Sequence, residues 1–267
     1  MLKALLIGIN YTNTRNPLQG CVNDIVNMKK MLMDHYEFKE ENLTMLSDDE
    51  QSKEKPTRNN IISHIDRFVK GVKAGDVLVF HYSGHGIQVK DYDRDEKTGL
   101  DDAIVPIDYD TNGVITDDII YRHLISCIPS GAKLVAFLDC CHSGSICDLK
   151  YNIKYVGPYM ASENIDVWMN NYVSWEENKN IAKGDIYMFS GCYDEQTSAD
   201  ASINYIRQGA FTFVLRQVLQ DSNYDITYKQ LLKHVNARLS LSSFEQRSQF
   251  SCSKQGLEDE TFKLGKN

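Results

Sequence analysis

Apolar runs bounded by turn residues alternate along the chain with segments whose apolar residues recur at helical spacing. That alternation predicts a single α/β domain with a mainly parallel central sheet of about six strands, flanked by helices on both faces. Lys3 to Ile9 reads as a buried first strand and Leu43 to Leu46 as a short second one. Asp76 to Tyr82 (DVLVFHY) is β-branched and aromatic with no helical period, so it reads as a central strand. Lys133 to Leu138 (KLVAFL), Asp185 to Phe189 and Ser248 to Ser253 complete the set. Between them lie helical segments at Asn23 to Tyr36, Asp117 to Cys127, Phe211 to Leu219 and Thr227 to Leu239. A further helix starts at a Thr57 cap and turns Ile61, Ile62, Ile65, Phe68 and Val69 inward. Pro106 in AIVPI predicts an edge hairpin there, because proline has no N–H to donate to a ladder and is confined to sheet edges. The polar stretch from about 149 to 183 reads as a long loop.

Composition narrows the function classes. The 267 residues carry a net charge of −8, which argues against a nucleic-acid partner, since such proteins carry a basic stripe to replace phosphate counterions. No apolar run approaches the roughly 20 residues of a membrane span. The start, MLKALLIGIN, is too short an apolar run for a secretory signal. Seven cysteines, an odd number, fit unpaired thiols in a reducing cytoplasm better than a disulfide framework. The acid excess is local: Lys90 to Asp118 holds ten acids against three bases, a net of −7. Such a block is either a solvated loop or a cation site.

Two predicted strands end in unusual sequences. The one at 76 to 82 runs into HYSGHG, with His85 between two glycines, and the one at 133 to 138 runs into DCCHSGS, with Cys141 just past Asp139. In an open parallel sheet the crevice at the carboxyl ends of the strands is where ligands bind. A thiol beside an imidazole becomes a strong nucleophile, and the backbone N–H groups of Cys141 and Gly86 are the donors expected for a developing oxyanion. His81 shares a strand face with Ser83 and reads as structural, while His142 is adjacent to Cys141 and badly placed to bend back onto it. Cys140, Cys141, His142 and Cys147 lack zinc spacing, and Ser143 lacks the GxSxG context of a serine hydrolase.

Together, HYSGHG, DCCHSGS, GCVND at Gly20 to Asp24 and SGCYDEQTSAD at Ser190 to Asp200 resemble the metacaspases, caspase-fold cysteine peptidases, and among them the type I members. The similarity runs from Leu2 through at least Phe213, so the amino-terminal prodomain of many type I members is not expected ahead of it. The resemblance implies a dyad of Cys141 and His85, with Cys140 a neighbour, and cleavage of protein or peptide substrates after Arg or Lys. It places Cys21, Asp24, Ser83 and Asp139 in the pocket for that basic side chain. Two carboxylates aimed into one pocket bind a guanidinium by charge-assisted hydrogen bonds and repel an acidic side chain. The alternative for Asp24 is a carboxylate near a helix N-terminus.

For the acidic block, the resemblance implies a calcium activator held by Asp101, Asp117, Asp118 and Asp148. An EF-hand beginning at Asp91 fails, because Glu96 stands where glycine is needed. Asp91, Asp93 and Asp95 are therefore expected in solvent. The 149 to 183 loop corresponds to the region between a large-subunit-like part (1–148) and a small-subunit-like part (184–267), where relatives process themselves. Its only basic residues are Lys150, Lys154, Lys179 and Lys183. A monomeric, cytoplasmic endopeptidase is the expectation. The alternatives are a catalytically silent scaffold of the same fold or a calcium-binding interaction module.

Overall fold

In a computed structural model the described residues are 1–92, 99–141, 146–157, 172–176, 181–192, 200–203 and 206–265. The chain opens with β1 (Leu2–Gly8) and α1 (Cys21–His35), then β2 (Leu43–Ser47), α2 (Arg58–Val69) and β3 (Val77–Ser83). β4 (Gly86–Lys90), β5 (Leu100–Ile104), α3 (Tyr109–Asn112), β6 (Ile115–Thr116) and α4 (Asp117–His123) follow, and then β7 (Lys133–Asp139). The remainder comprises β8 (Tyr151–Tyr155), β9 (Tyr172–Glu176), β10 (Asp185–Ser190), β11 (Asp200–Ile203), β12 (Ile206–Gly209), α5 (Ala210–Asp221), α6 (Tyr228–Leu241) and β13 (Gln249–Cys252).

The main sheet has eight strands in the order β2-β1-β3-β7-β10-β13-β8-β9. The first five are parallel and the last three antiparallel. β3 and β7 are buried along almost their whole length because helices cover both faces, which is why their sequences are continuous rather than alternating apolar runs. On one face Ile25, Met28 and Leu32 of α1 pack with Phe211, Leu215, Tyr228 and Leu232 of α5 and α6. On the other, Ile61, Ile65 and Phe68 of α2 pack with Ile120 and Leu124. Thr57 caps α2 by accepting the Asn60 N–H at 3.3 Å, and Thr227 with Gln230 forms a capping box at α6.

The count of about six strands is corrected to eight, because the stretch read as a long polar loop contains β8 and β9. β9 is the outermost strand and leaves most of its side chains at least partly exposed, so its sequence needs no apolar run and betrays itself poorly. A second correction falls in the acidic block: Asp91 is only 5% exposed, its N–H bonded to the Gly99 carbonyl at 3.1 Å, rather than solvated. Asp93 and Asp95 lie outside the described residues. The hairpin predicted around Pro106 is a three-stranded antiparallel sheet of β4, β5 and β6, with the proline just past β5. All seven cysteines are outside any disulfide. Among the described residues no helix is long and apolar enough to cross a membrane.

Candidate active site

Register brings the two unusual strand ends together. Ser83 on β3 pairs with Gly8 on β1 and with Asp139 on β7, and the Gly84 N–H reaches the Asp139 carbonyl at 3.3 Å. His85 and Cys141 each follow that paired couple by two residues, so they emerge side by side at the carboxyl edge of the sheet. The two backbones meet there, since a Cβ on Gly86 would overlap the Cys141 carbonyl and lie 3.3 Å from Cys140 Sγ. Only glycine permits that approach. Cys140 is fully buried among Leu138, Ile146 and Cys147, whereas Cys141 is partly exposed, which separates the packed thiol from the available one.

The imidazole of His85 is held from beneath and from the side. Its Nε2 lies 2.7 Å from the Asn16 carbonyl, an acceptor only, so Nε2 carries the proton and Nδ1 is the basic nitrogen of the neutral ring. Tyr11 packs against the ring at 4.5 Å between centroids, and its hydroxyl accepts the His85 N–H at 3.0 Å. Tyr82 donates to the His85 carbonyl at 2.7 Å and lies 3.0 Å from the Tyr11 hydroxyl. Burial raises both phenols well above their ordinary range, so they act as fixed neutral donors. His81, on the opposite strand face from Tyr82, is fully buried, and His142 and Ser143 lie outside the described residues.

The four pocket candidates also converge. Asp24, in the first turn of α1, is 0% exposed and accepts the Ser83 hydroxyl at 2.7 Å and the Gly209 N–H at 3.0 Å. Asp139 is 4% exposed and accepts both the N–H and the hydroxyl of Thr212, at 2.9 and 2.8 Å. The two carboxylates face one point: a Cβ on Gly209 would overlap Asp139 Oδ2 and sit 2.7 Å from Asp24 Oδ2. Cys21 opens α1 one turn before Asp24, with its N–H on the Asn10 side chain at 3.0 Å.

Asp101, Asp117 and Asp118 form a second acidic group, with one carboxylate oxygen from each within 4.8 Å of the others. Asp117 accepts the N–H groups of Asp102 and Asp118, at 2.9 and 3.0 Å. Burial first, and then the charge of Asp148, push its carboxyl up to about 9. Asp148 thus neighbours the group electrostatically without completing the tight set. It is 2% exposed and sits at φ 47°, a left-handed conformation. β5 links the two regions, since Asp101 is the second residue of the strand whose Ile104 pairs with Gly86.

The metacaspase peptidase C14 domain matches residues 2–150. Metacaspase-1 of Schizosaccharomyces pombe is 35% identical over 94% of this chain, which covers 67% of that protein. Metacaspase-1B of Neurospora crassa and Metacaspase-1 of Kluyveromyces lactis are 36% and 37% identical over the same share, each 66% covered. The chain belongs to the metacaspases. The family is one of cysteine peptidases, and this chain spans about two thirds of the length of those relatives. A crystal structure of a Geobacter sulfurreducens protein, 23% identical, aligns over 98% of both chains with a TM-score of 0.67, a likeness of fold.

In this metacaspase the lysines of the predicted loop stand in different places. Lys154 is in β8, paired on both sides to Gln249 and Val173, and Lys150 is tied to Glu176 at 3.6 Å. Lys183 is exposed just before β10, and Lys179 lies outside the described residues. Sequence reasoning missed Asn16, Tyr11, Gly209 and Thr212, all of them partners across long separations. Only Tyr82 carried a signal, as part of HYSGHG.

Proposed function

We propose that the chain is a calcium-activated endopeptidase that cuts after Arg or Lys. The observation that carries this reading is the Ser83–Asp139 register, which brings together the strand ends leading into His85 and Cys141, with buried Asp139 in that pair and buried Asp24 accepting the Ser83 hydroxyl. In this mechanism His85 Nδ1 takes the Cys141 thiol proton as the sulfur bonds to the carbonyl carbon of the scissile bond. Backbone N–H groups at Cys141 and Gly86 hold the oxyanion. His85 then gives the proton to the leaving amine. Water, deprotonated by His85, releases the acyl group and restores the thiol. Asp24, held by the Ser83 hydroxyl, and Asp139, held by Thr212, select the basic side chain, with Cys21 one turn before Asp24.

Calcium fits the second acidic group by donor chemistry. Asp101 and Asp117, buried, and Asp118, half-buried, offer hard carboxylate oxygens close together, with Asp148 beside them. Bound there, the ion would neutralise charges that otherwise repel and would order β5 beside His85. It takes no part in bond cleavage. Self-processing belongs to the same reading, and exposure favours Lys183 over the strand-bound Lys154.

The test is hydrolysis of matched fluorogenic peptides ending in Arg, Lys or Asp, with and without calcium. Activity on Arg and Lys alone, dependent on calcium and abolished in Cys141→Ala, is the expected result. Hydrolysis that survives the change would refute the assignment of the nucleophile, and cleavage after Asp would refute the pocket.

A further inference from the structure

Helix α5 begins behind the pocket. Gly209 precedes it, and Thr212 is its third residue, 1% exposed, facing Asp139. Two carboxylates this buried and this close each favour protonation, by loss of hydration and by mutual repulsion. A protonated pair would attract a guanidinium or ammonium poorly. The structure counters this with donors from one helix start: Gly209 N–H to both oxygens of Asp24 at 3.0 Å, and Thr212 N–H and Oγ1–H to Asp139 Oδ2 at 2.9 and 2.8 Å. The aligned peptide dipoles of the 12-residue helix favour negative charge at the same end.

We infer that Thr212 is a positioning residue for basic-side-chain binding, its hydroxyl and N–H together keeping Asp139 ionised and turned toward the point it shares with Asp24. The role is exercised through Asp139, not by touching the reacting atoms. It rests on the Arg/Lys reading above. A hydroxyl that donates to a carboxylate stabilises the charged form, and valine has the same shape without the donor. A merely structural Thr212 would tolerate valine with little change in substrate preference.

The experiment uses the full chain with calcium, and peptides ending in Arg or in citrulline, the neutral isostere of Arg. For Thr212→Val the expected result is a KM for the Arg peptide raised about tenfold, kcat within about twofold, and an Arg-over-citrulline preference reduced by the same factor, the loss of one charge-assisted hydrogen bond. Thr212→Ser, which keeps the hydroxyl, should stay within about twofold of the parent on both measures. An unchanged KM in Thr212→Val, or a fall in kcat alone, overturns the inference while the parent's preference for Arg leaves the pocket reading standing. No preference for Arg over citrulline in the parent overturns both. Should the valine variant fail to fold, Thr212→Cys, a weaker donor of similar size, takes its place: a KM raised about threefold supports the inference, and an unchanged one overturns it.

Discussion

At the scale of single residues, the same hydrogen-bonding rules give opposite outcomes at two histidines of one strand end. His85 has a carbonyl on Nε2 and an aromatic ring beneath it, so its tautomer and orientation are set before substrate arrives. His81 is fully buried, and neither of its ring nitrogens has a hydrogen-bond partner among the described residues. Burial alone lowers its pKa to about 3. The unfolded chain, with His81 at its ordinary value near 6.5, therefore binds the extra proton between about pH 6.5 and 3, and stability falls as pH drops through that window. Replacing His81 with leucine should flatten that acid limb. Urea unfolding of both proteins at pH 7, 6 and 5 should find their difference shifting by about 1.4 kcal/mol per pH unit in the variant's favour below pH 6. Parallel profiles would mean that His81 is hydrated or paired in solution.

At the scale of elements, short backbone segments do what no side chain does alone. β5 carries Asp101, in the acidic group, near one end and Ile104, paired with Gly86 beside His85, at the other, so the proposed ion would bear on the His85 side through one strand. Melting curves offer a check that does not depend on activity. Calcium at about one hundred times its dissociation constant adds about 2.7 kcal/mol to the folded state, which for a chain of this size raises Tm by about 5–10 °C. Asp117→Ala should lose that shift, and a wild type whose Tm ignores calcium would remove the site. The two strands hidden in the polar stretch belong to this scale as well. β8 gains its place from pairing with β13, and β9 from pairing with β8, contacts that composition does not display.

At the scale of the whole molecule, topology distributes accessibility along the stretch between β7 and β10. Lys154 is locked between two strands, while Lys183 is exposed ahead of β10. A peptide bond has to leave its ladder to enter an active-site cleft, so self-processing should begin after exposed lysines. After incubation with calcium, sequencing of new amino termini should find one starting at Gly184, with none at Tyr155 and none from Cys141→Ala. A terminus at Tyr155 would mean that β8 and β9 open far more readily than their pairing implies.

The sequence by itself determined the layered α/β architecture, every parallel strand, the principal helices, and both strand-end sequences with His85 and Cys141. These are local signals: apolar runs of strand length, helical spacing, capping residues and short motifs whose neighbours along the chain are their neighbours in space. Local charge picked out the acidic block, and resemblance added Asp24, Asp139 and the choice of Asp101, Asp117, Asp118 and Asp148, which no periodicity would have singled out. Only the tertiary structure decided that Gly209 and Thr212, far along the chain, arrive at Asp24 and Asp139, that the Asn16 carbonyl sets the His85 tautomer, and that Asp91 is buried. The physical reason is common to all three. Hydrogen-bond partners brought together by strand register and helix packing leave no spacing in the chain, because each residue is ordinary where it stands and acquires its role from what the fold places opposite it.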